Sequence, residues 1–152
     1  MKLLILILAV LVVLNILGFF YSTAPRMARR KDCEEFTRWM YAHRGLWSEE
    51  KEIPENSLPA FQRAVESGYA IELDVQITKD NRLVVFHDDT LNRMCRKEGR
   101  VCTYTLEELK QLQLKDTEFK IPEFREVLEI VDGKVPLLIA VSYTHLTLPT
   151  IL

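Results

Sequence analysis

Strand-like and helix-like periodicities alternate between residues 36 and 139, which predicts an α/β fold with a mostly parallel sheet. Three observations carry that prediction. Residues 70–77 alternate strictly, with Ile71, Leu73, Val75 and Ile77 on one face and Glu72, Asp74 and Gln76 on the other. Apolar stripes of helical spacing stand on both sides of that strand, at Leu58, Phe61, Ala64 and Val65 and again at Phe124, Val127, Leu128 and Val131. The residues with chemical potential fall at or near the C-terminal ends of predicted strands. A (β/α)8 barrel carries its active site on that face.

The elements follow in order. Residues 3–21 carry no charge, and Asn15 is their only strongly polar side chain. Roughly 19 residues at roughly 1.5 Å each approach the ~30 Å hydrocarbon thickness of a bilayer. Residues 1–24 are therefore expected to form one transmembrane anchor. The alternative is a cleaved signal peptide, whose apolar core ordinarily runs to roughly 7–15 residues before a small-x-small site. Ser22-Thr23-Ala24 is a poor version of that site. Arg26, Arg29, Arg30 and Lys31 follow the span, against Lys2 and the amino terminus before it. The positive-inside bias then places the following domain on the cytoplasmic side of a single-pass membrane protein.

Residues 25–35 read as a charged linker and 36–140 as the barrel-like domain. Its first strand is expected over 36–42, ending at His43. Asn56 or Ser57 can cap a helix that runs to about Glu66 and ends at Ser67-Gly68. Lys79-Asp80-Asn81 makes a turn after the alternating strand, and 83–86 is a short apolar strand ending at His87. Residues 89–103 read as a loop. Thr105-x-x-Glu108 has the capping-box pattern before Leu106, Leu109 and Leu112. Pro122 suits the first turn of the next helix. Asp132-Gly133 breaks that helix, and 135–139 is the last strand.

The bulk numbers exclude some classes. A formal net charge of −2 and no basic face after residue 31 argue against a nucleic-acid partner. Cys33, Cys95 and Cys102 form no metal pattern. Cys95 and Cys102 could bridge a loop in an oxidising compartment, but reduced thiols without a role are the simpler reading.

The tail is of a different kind. Residues 141–150 read VSYTHLTLPT, which is one frame of a transposase sequencing adapter: GTC TCT TAT ACA CAT CTG ACG CTG CCG ACG. The adapter begins with CT before that frame, so Ala140 reads as G-CT with only its first base genomic. Residues 141–152 are expected to be an adapter-derived artefact, and His145 has no functional reading.

The chemistry gathers in four short motifs. Glu72 and Asp74 leave one strand face together. Two buried carboxylates disfavour joint ionisation unless a cation neutralises them, and oxygen-only ligands favour Mg²⁺ or Ca²⁺. The bland alternative is a solvent-facing edge with two ordinary acids. His43 and His87 end two strands, and an imidazole pair can accept and donate a proton. Arg44 beside His43 can clamp two phosphate oxygens. Gly45 allows a positive φ or a close backbone approach. Pro54-Glu55-Asn56-Ser57 is either functional or only the turn leading into a helix.

His43-Arg44-Gly45, then Pro54-Glu55-Asn56-Ser57, then Glu72-x-Asp74, then His87-Asp88 together resemble the glycerophosphodiester phosphodiesterase family, in its order and approximate spacing over about residues 41–140. The resemblance implies a TIM barrel and metal-dependent hydrolysis of glycerophosphodiesters to an alcohol and glycerol 3-phosphate. It assigns His43 and His87 as the acid–base pair, Arg44 to phosphate, and Glu72 and Asp74 to a divalent cation, Ca²⁺ or Mg²⁺. The family also has a Glu-x-Lys on the following strand, whose Glu would fall at Ala140. The split codon suggests that Ala140 is artificial, and because glutamate codons also begin with G, the resemblance makes a genomic Glu the expectation there. Two other classes stay open: a phospholipase-C-like or phospholipase-D-like barrel enzyme acting on (lyso)phospholipids, and a non-catalytic membrane-anchored binding protein. A (β/α)8 domain needs about 250 residues, so the chain is expected to hold only the N-terminal part of the barrel and to be inactive alone.

Overall fold

A computed structural model describes residues 2–23 and 30–141. The chain divides into two units, Met1–Arg38 and Trp39–Leu152. In the first, α1 spans Lys2–Thr23. Within it, Ile5–Thr23 is long and apolar enough to cross a membrane, at a mean hydropathy of 2.6 over 19 residues, a profile that a signal sequence shares. A short helix α2 follows at Arg30–Thr37. The expected linker therefore ends in helix, and the adapter-like residues 142–152 lie outside the described residues.

The second unit is an α/β layer structure. Its first strand, β1, is Tyr41–His43, much shorter than the 36–42 run expected. The ladder begins where a partner begins. Tyr41 pairs with Ala70, the first residue of strand β2 (Ala70–Ile77), and among the described residues no strand stands opposite those before it. Helix α3 (Leu58–Glu66) crosses between them, with a proline in its first turn. Ser57 sits at its N-cap, but the hydroxyl does not cap. It donates instead to Pro54 O at 2.6 Å and tightens the preceding turn.

Strand β2 is central. On one edge its N-terminal half pairs in parallel with β1, and its C-terminal half pairs antiparallel with β3 (Leu83–Val85). The sheet also includes β4 (Leu137–Val141), parallel to β2, with Glu72 beside Leu138 and Asp74 beside Ala140. The turn at 78–82 closes on Thr78 N–H to Arg82 O, and Asn81 takes φ 58° there. Between β3 and β4 lie α4 (Asn92–Cys95), a 3-10 turn at Val101–Thr103, α5 (Leu106–Leu109) and α6 (Phe124–Val131). The loop expected over 89–103 thus holds two short helical turns. The Thr105–Glu108 capping box forms. Pro122 falls just outside α6, whose own capping box uses Glu123 and Glu126.

One cluster, with Phe61, Ile71, Leu73, Val85 and Val127, fills the space between the sheet and α3 and α6. A second, with Phe86, Leu91, Val101, Leu109, Leu114 and Ile121, supports the long excursion between β3 and α6. Full burial of each such side chain contributes about 1.5–3 kcal/mol. Both clusters hold still the backbone on which the polar residues stand.

Candidate active site

Strand register is what brings the polar residues together. In the parallel β1–β2 ladder His43 lies beside Glu72, and its Nε2 is 3.9 Å from Glu72 Oε2. Immediately after β1 the chain reverses through two left-handed residues, Arg44 at φ 60° and Gly45 at φ 81°. A Cβ on Gly45 would stand 2.9 Å from Ala60 Cβ and 3.0 Å from Phe61 Cδ1, so only glycine lets the turn pack on α3. The turn aims the Arg44 N–H at both Glu72 O (2.9 Å) and Glu72 Oε2 (3.2 Å). The Arg44 side chain runs inward: Nη1 donates to Glu55 Oε1 at 2.9 Å, and Nε lies 3.5 Å from Asp74 Oδ2.

His87 reaches the site by a different route from the one the strand-end pattern suggested. Strand β3 runs antiparallel to β2, so the chain doubles back toward the carboxylates. Phe86 N–H donates to Asp74 O at 2.9 Å, which sets the next residue, His87, close to the middle of β2. Gln76 secures this return. Its Nε2 is within hydrogen-bond distance of the carbonyls of Phe86 (3.0 Å), His87 (3.2 Å) and Asp88 (2.6 Å). The His87 ring contacts Asp88 Oδ1 through Nδ1 at 2.7 Å. Both imidazoles remain open to solvent, with side-chain exposures of 69% for His43 and 42% for His87.

The carboxylates are more enclosed, at 17% for the Glu72 side chain and 12% for Asp74. The solvent-facing alternative for these two acids therefore fails. Asp74 Oδ2 also accepts from Asn56 Nδ2 at 3.0 Å, and Asn56 itself is held by its N–H on Arg44 O. Two buried polar atoms in this cluster lack a hydrogen-bond partner: Arg44 Nε, a cationic donor, and Asn56 Oδ1, a hard oxygen acceptor. A buried acceptor left unpaired, as Asn56 Oδ1 is, costs about 1–3 kcal/mol unless a ligand satisfies it. Asn56 Oδ1 is an acceptor that a hard cation could satisfy, while Arg44 Nε is already offset by Asp74.

Among the described residues no three of His, Cys, Asp and Glu converge into a ready-made metal cluster. The oxygen donors at hand are Glu72, Asp74 and Asn56 Oδ1. That set fits a hard divalent ion, because Mg²⁺ in particular is commonly held by one or two carboxylates, waters and substrate phosphate oxygens.

A second polar group surrounds the first. Arg93 on α4 donates through Nε to Asp88 Oδ2 at 2.6 Å and through Nη2 to Glu55 Oε1 at 2.6 Å. The Arg93 hydrogen bonds, with further help from His87, overcome desolvation and push the Asp88 carboxyl down to about 2. Burial raises Glu55, but Arg93 and Arg44 outweigh it and hold it below the ordinary carboxylate value. Asp88 in turn raises Arg93, with Glu55 adding to the effect. Cys95 and Cys102 are free thiols, and burial pushes Cys95 up to about 11, which leaves it unreactive at neutral pH.

All five residues expected from sequence, His43, Arg44, Glu72, Asp74 and His87, thus stand on neighbouring strands and the turns that leave them. Asn56, Glu55, Gln76 and Arg93 complete the cluster without having been assigned a role from sequence. The Pro-Glu-Asn-Ser motif pointed toward the first two, and the polar face of β2 carried Gln76 as its third member. Arg93 had no local signal, since it lies in what reads as a loop.

Comparison with known proteins agrees with this geometry. Residues 43–147 match the sequence profile described as the Glycerophosphoryl diester phosphodiesterase family. A glycerophosphodiester phosphodiesterase of Caldanaerobacter subterraneus is 46% identical over 100 residues, covering 61% of this chain and 40% of that protein. One from Bacillus altitudinis is 41% identical over 110 residues, covering 68% of this chain and 44% of that protein. Among solved structures, an Oleispira antarctica phosphodiesterase in complex with the product sn-glycerol-3-phosphate superposes with a TM-score of 0.61 at 28% identity, over 70% of this chain and 46% of that one. A glycerophosphoryl diester phosphodiesterase from Parabacteroides distasonis gives 0.63 at 33% identity, over 74% and 39%. The chain therefore spans about two-fifths of the length of the curated relatives it matches. Its α/β layers form part of a TIM barrel. On the profile match, which takes in most of the chain, and on the site that the register assembles, this chain belongs to the glycerophosphoryl diester phosphodiesterase family.

Proposed function

We propose that the protein hydrolyses glycerophosphodiesters to an alcohol and glycerol 3-phosphate, with a divalent cation, Mg²⁺ or Ca²⁺, held by Glu72 and Asp74. The observation that carries this reading is the register that sets His43, Arg44, Glu72, Asp74 and His87 on neighbouring strands, with Asn56 Oδ1 buried and unpaired in the same cluster. A divalent cation accompanying the phosphodiester would satisfy that oxygen. The relatives named for this activity, and the neighbour holding sn-glycerol-3-phosphate, support the same substrate class.

Each residue has a part that follows from its place. Arg44 binds a non-bridging phosphate oxygen through the guanidinium, which Glu55 holds in a fixed plane at 2.9 Å. The exposed His43 and His87 rings exchange protons, one with the attacking oxygen and the other with the departing alcohol. Water or the glycerol 2-hydroxyl serves as the attacker. The cation, when bound, neutralises charge developing on the phosphoryl oxygens. We further propose that α1 anchors the protein in a membrane as a single-pass helix with the domain on the cytoplasmic side. Its length and hydropathy support a span, and the basic residues after it support the orientation.

The test uses full-length protein and a panel of deacylated glycerophosphodiesters, with glycerol 3-phosphate release as the readout. Chelation is expected to abolish release, and Mg²⁺ or Ca²⁺ to restore it. His43→Ala and His87→Ala are each expected to lose on the order of 10²-fold in kcat with cation affinity retained. Near-normal turnover by either variant counts against the assignment.

A further inference from the structure

We propose that Arg93 is a positioning residue that registers the His87 imidazole against the Arg44 guanidinium by bridging the carboxylates of Asp88 and Glu55. The inference deepens the proposed function, because it rests on His87 as a proton-exchanging group and Arg44 as the phosphate clamp.

The connections are continuous. Arg44 Nη1 donates to Glu55 Oε1 at 2.9 Å, and Arg93 Nη2 donates to that same oxygen at 2.6 Å. Arg93 also forks onto Asp88, Nε to Oδ2 at 2.6 Å and Nη2 to Oδ1 at 2.9 Å. Asp88 Oδ1 then meets His87 Nδ1 at 2.7 Å. An ionised carboxylate can only accept, and Asp88 is ionised across the neutral range. The proton of a neutral His87 therefore sits on Nδ1, which leaves Nε2 as the basic atom.

The bridge also spans a structural gap. Glu55 belongs to the segment between β1 and α3, and Asp88 and Arg93 follow β3. Among the described residues no backbone hydrogen bond joins 44–57 to 86–95. Gln76 fixes the His87 backbone from β2 but does not touch the ring. Registry of the ring with Arg44 thus falls to the Arg93 side chain. Its planar fork can serve two carboxylates at once, which a lysine ammonium on a flexible stem does not reproduce.

The experiment compares full-length wild type with Arg93→Gln, Arg93→Lys and Asp88→Asn, taking Arg100→Ala, which removes the neighbouring pair with Asp89, as the control. Two readouts are taken: the ¹⁵N signals of the histidine rings, which report the tautomer, and steady-state kinetics. Wild type is expected to hold His87 with the proton on Nδ1. Arg93→Gln and Asp88→Asn are expected to give exchanging tautomers, with kcat lower by about 10- to 100-fold and KM changed by less than about 3-fold. Arg93→Lys is expected to recover only part of the loss, and Arg100→Ala to match wild type. A purely structural arginine would lower the melting temperature and leave the tautomer and the kcat of the folded fraction untouched, and that result overturns the proposal. If wild type cleaves no diester, the hydrolase reading fails while the tautomer signals still decide the role of Arg93.

Discussion

At the scale of single residues, Gly45 shows how little freedom the site leaves. Its φ of 81° and the 2.9 Å approach a Cβ would make to Ala60 forbid a side chain. Gly45→Ala combines left-handed strain with overpacking against α3, and is expected to cost about 2–4 kcal/mol by urea unfolding. Arg44 accepts a left-handed conformation without that excuse, and its geometry repays the strain with two contacts from one N–H to Glu72. Strain of this kind collects where a group must be aimed.

Asp88 makes a second prediction at the same scale. Its carboxyl titrates at about 2 in the folded chain, below the ordinary 3.8, because Arg93 and His87 bind the charged form. A depressed carboxylate stabilises the fold above its unfolded value, and that contribution is lost as pH falls through the folded value. Stability should therefore decline between about pH 4 and pH 2. Asp88→Asn should flatten that part of the profile, read as melting temperature against pH.

At the scale of elements, the antiparallel turn of β3 matters more than its brevity. The hairpin folds the chain from the end of β2 back to Asp74, so His87 reaches the carboxylates without a crossover helix. Strand β4 offers a comparable argument. Ala140 is the register partner of Asp74, so a side chain there leaves the sheet on the same face as the two carboxylates. The family resemblance makes glutamate the expectation at this place, and the G that begins codon 140 is compatible with it. In a complete barrel that carries residues 36–140 as they stand in this chain, Ala140→Glu is expected to tighten divalent-cation binding by about 10-fold or more, measured by calorimetry. An unchanged affinity removes position 140 from the site.

At the scale of the molecule, β4 pairs with β2 among the described residues, and its Leu138 and Ile139 are 55% and 42% exposed. Apolar side chains on a strand at the margin of a sheet invite another strand or aggregation. We expect the 152-residue chain alone to release no glycerol 3-phosphate and to aggregate, whereas the same residues within a complete eight-stranded barrel should do neither. Light scattering and the release assay read both outcomes.

Much was determined by the chain's own order of residues. The alternation of β2 placed Glu72, Asp74 and Gln76 on one face, and side-chain direction in a strand has a fixed period of two. The capping box at Thr105 and the stop at Asp132-Gly133 are likewise local, and both formed. The four motifs supplied the candidate residues that the register gathers, because reactive groups are written as residue types. Only the tertiary structure decided that β3 turns back, that β1 shrinks to the length of its partner, and that Ser57 spends its hydroxyl on Pro54. It alone joined Arg93 to Glu55, 38 positions away. Pairing direction and long-range ion pairs depend on which backbone lies opposite, and that is a property of the packed sheet rather than of any short stretch of chain.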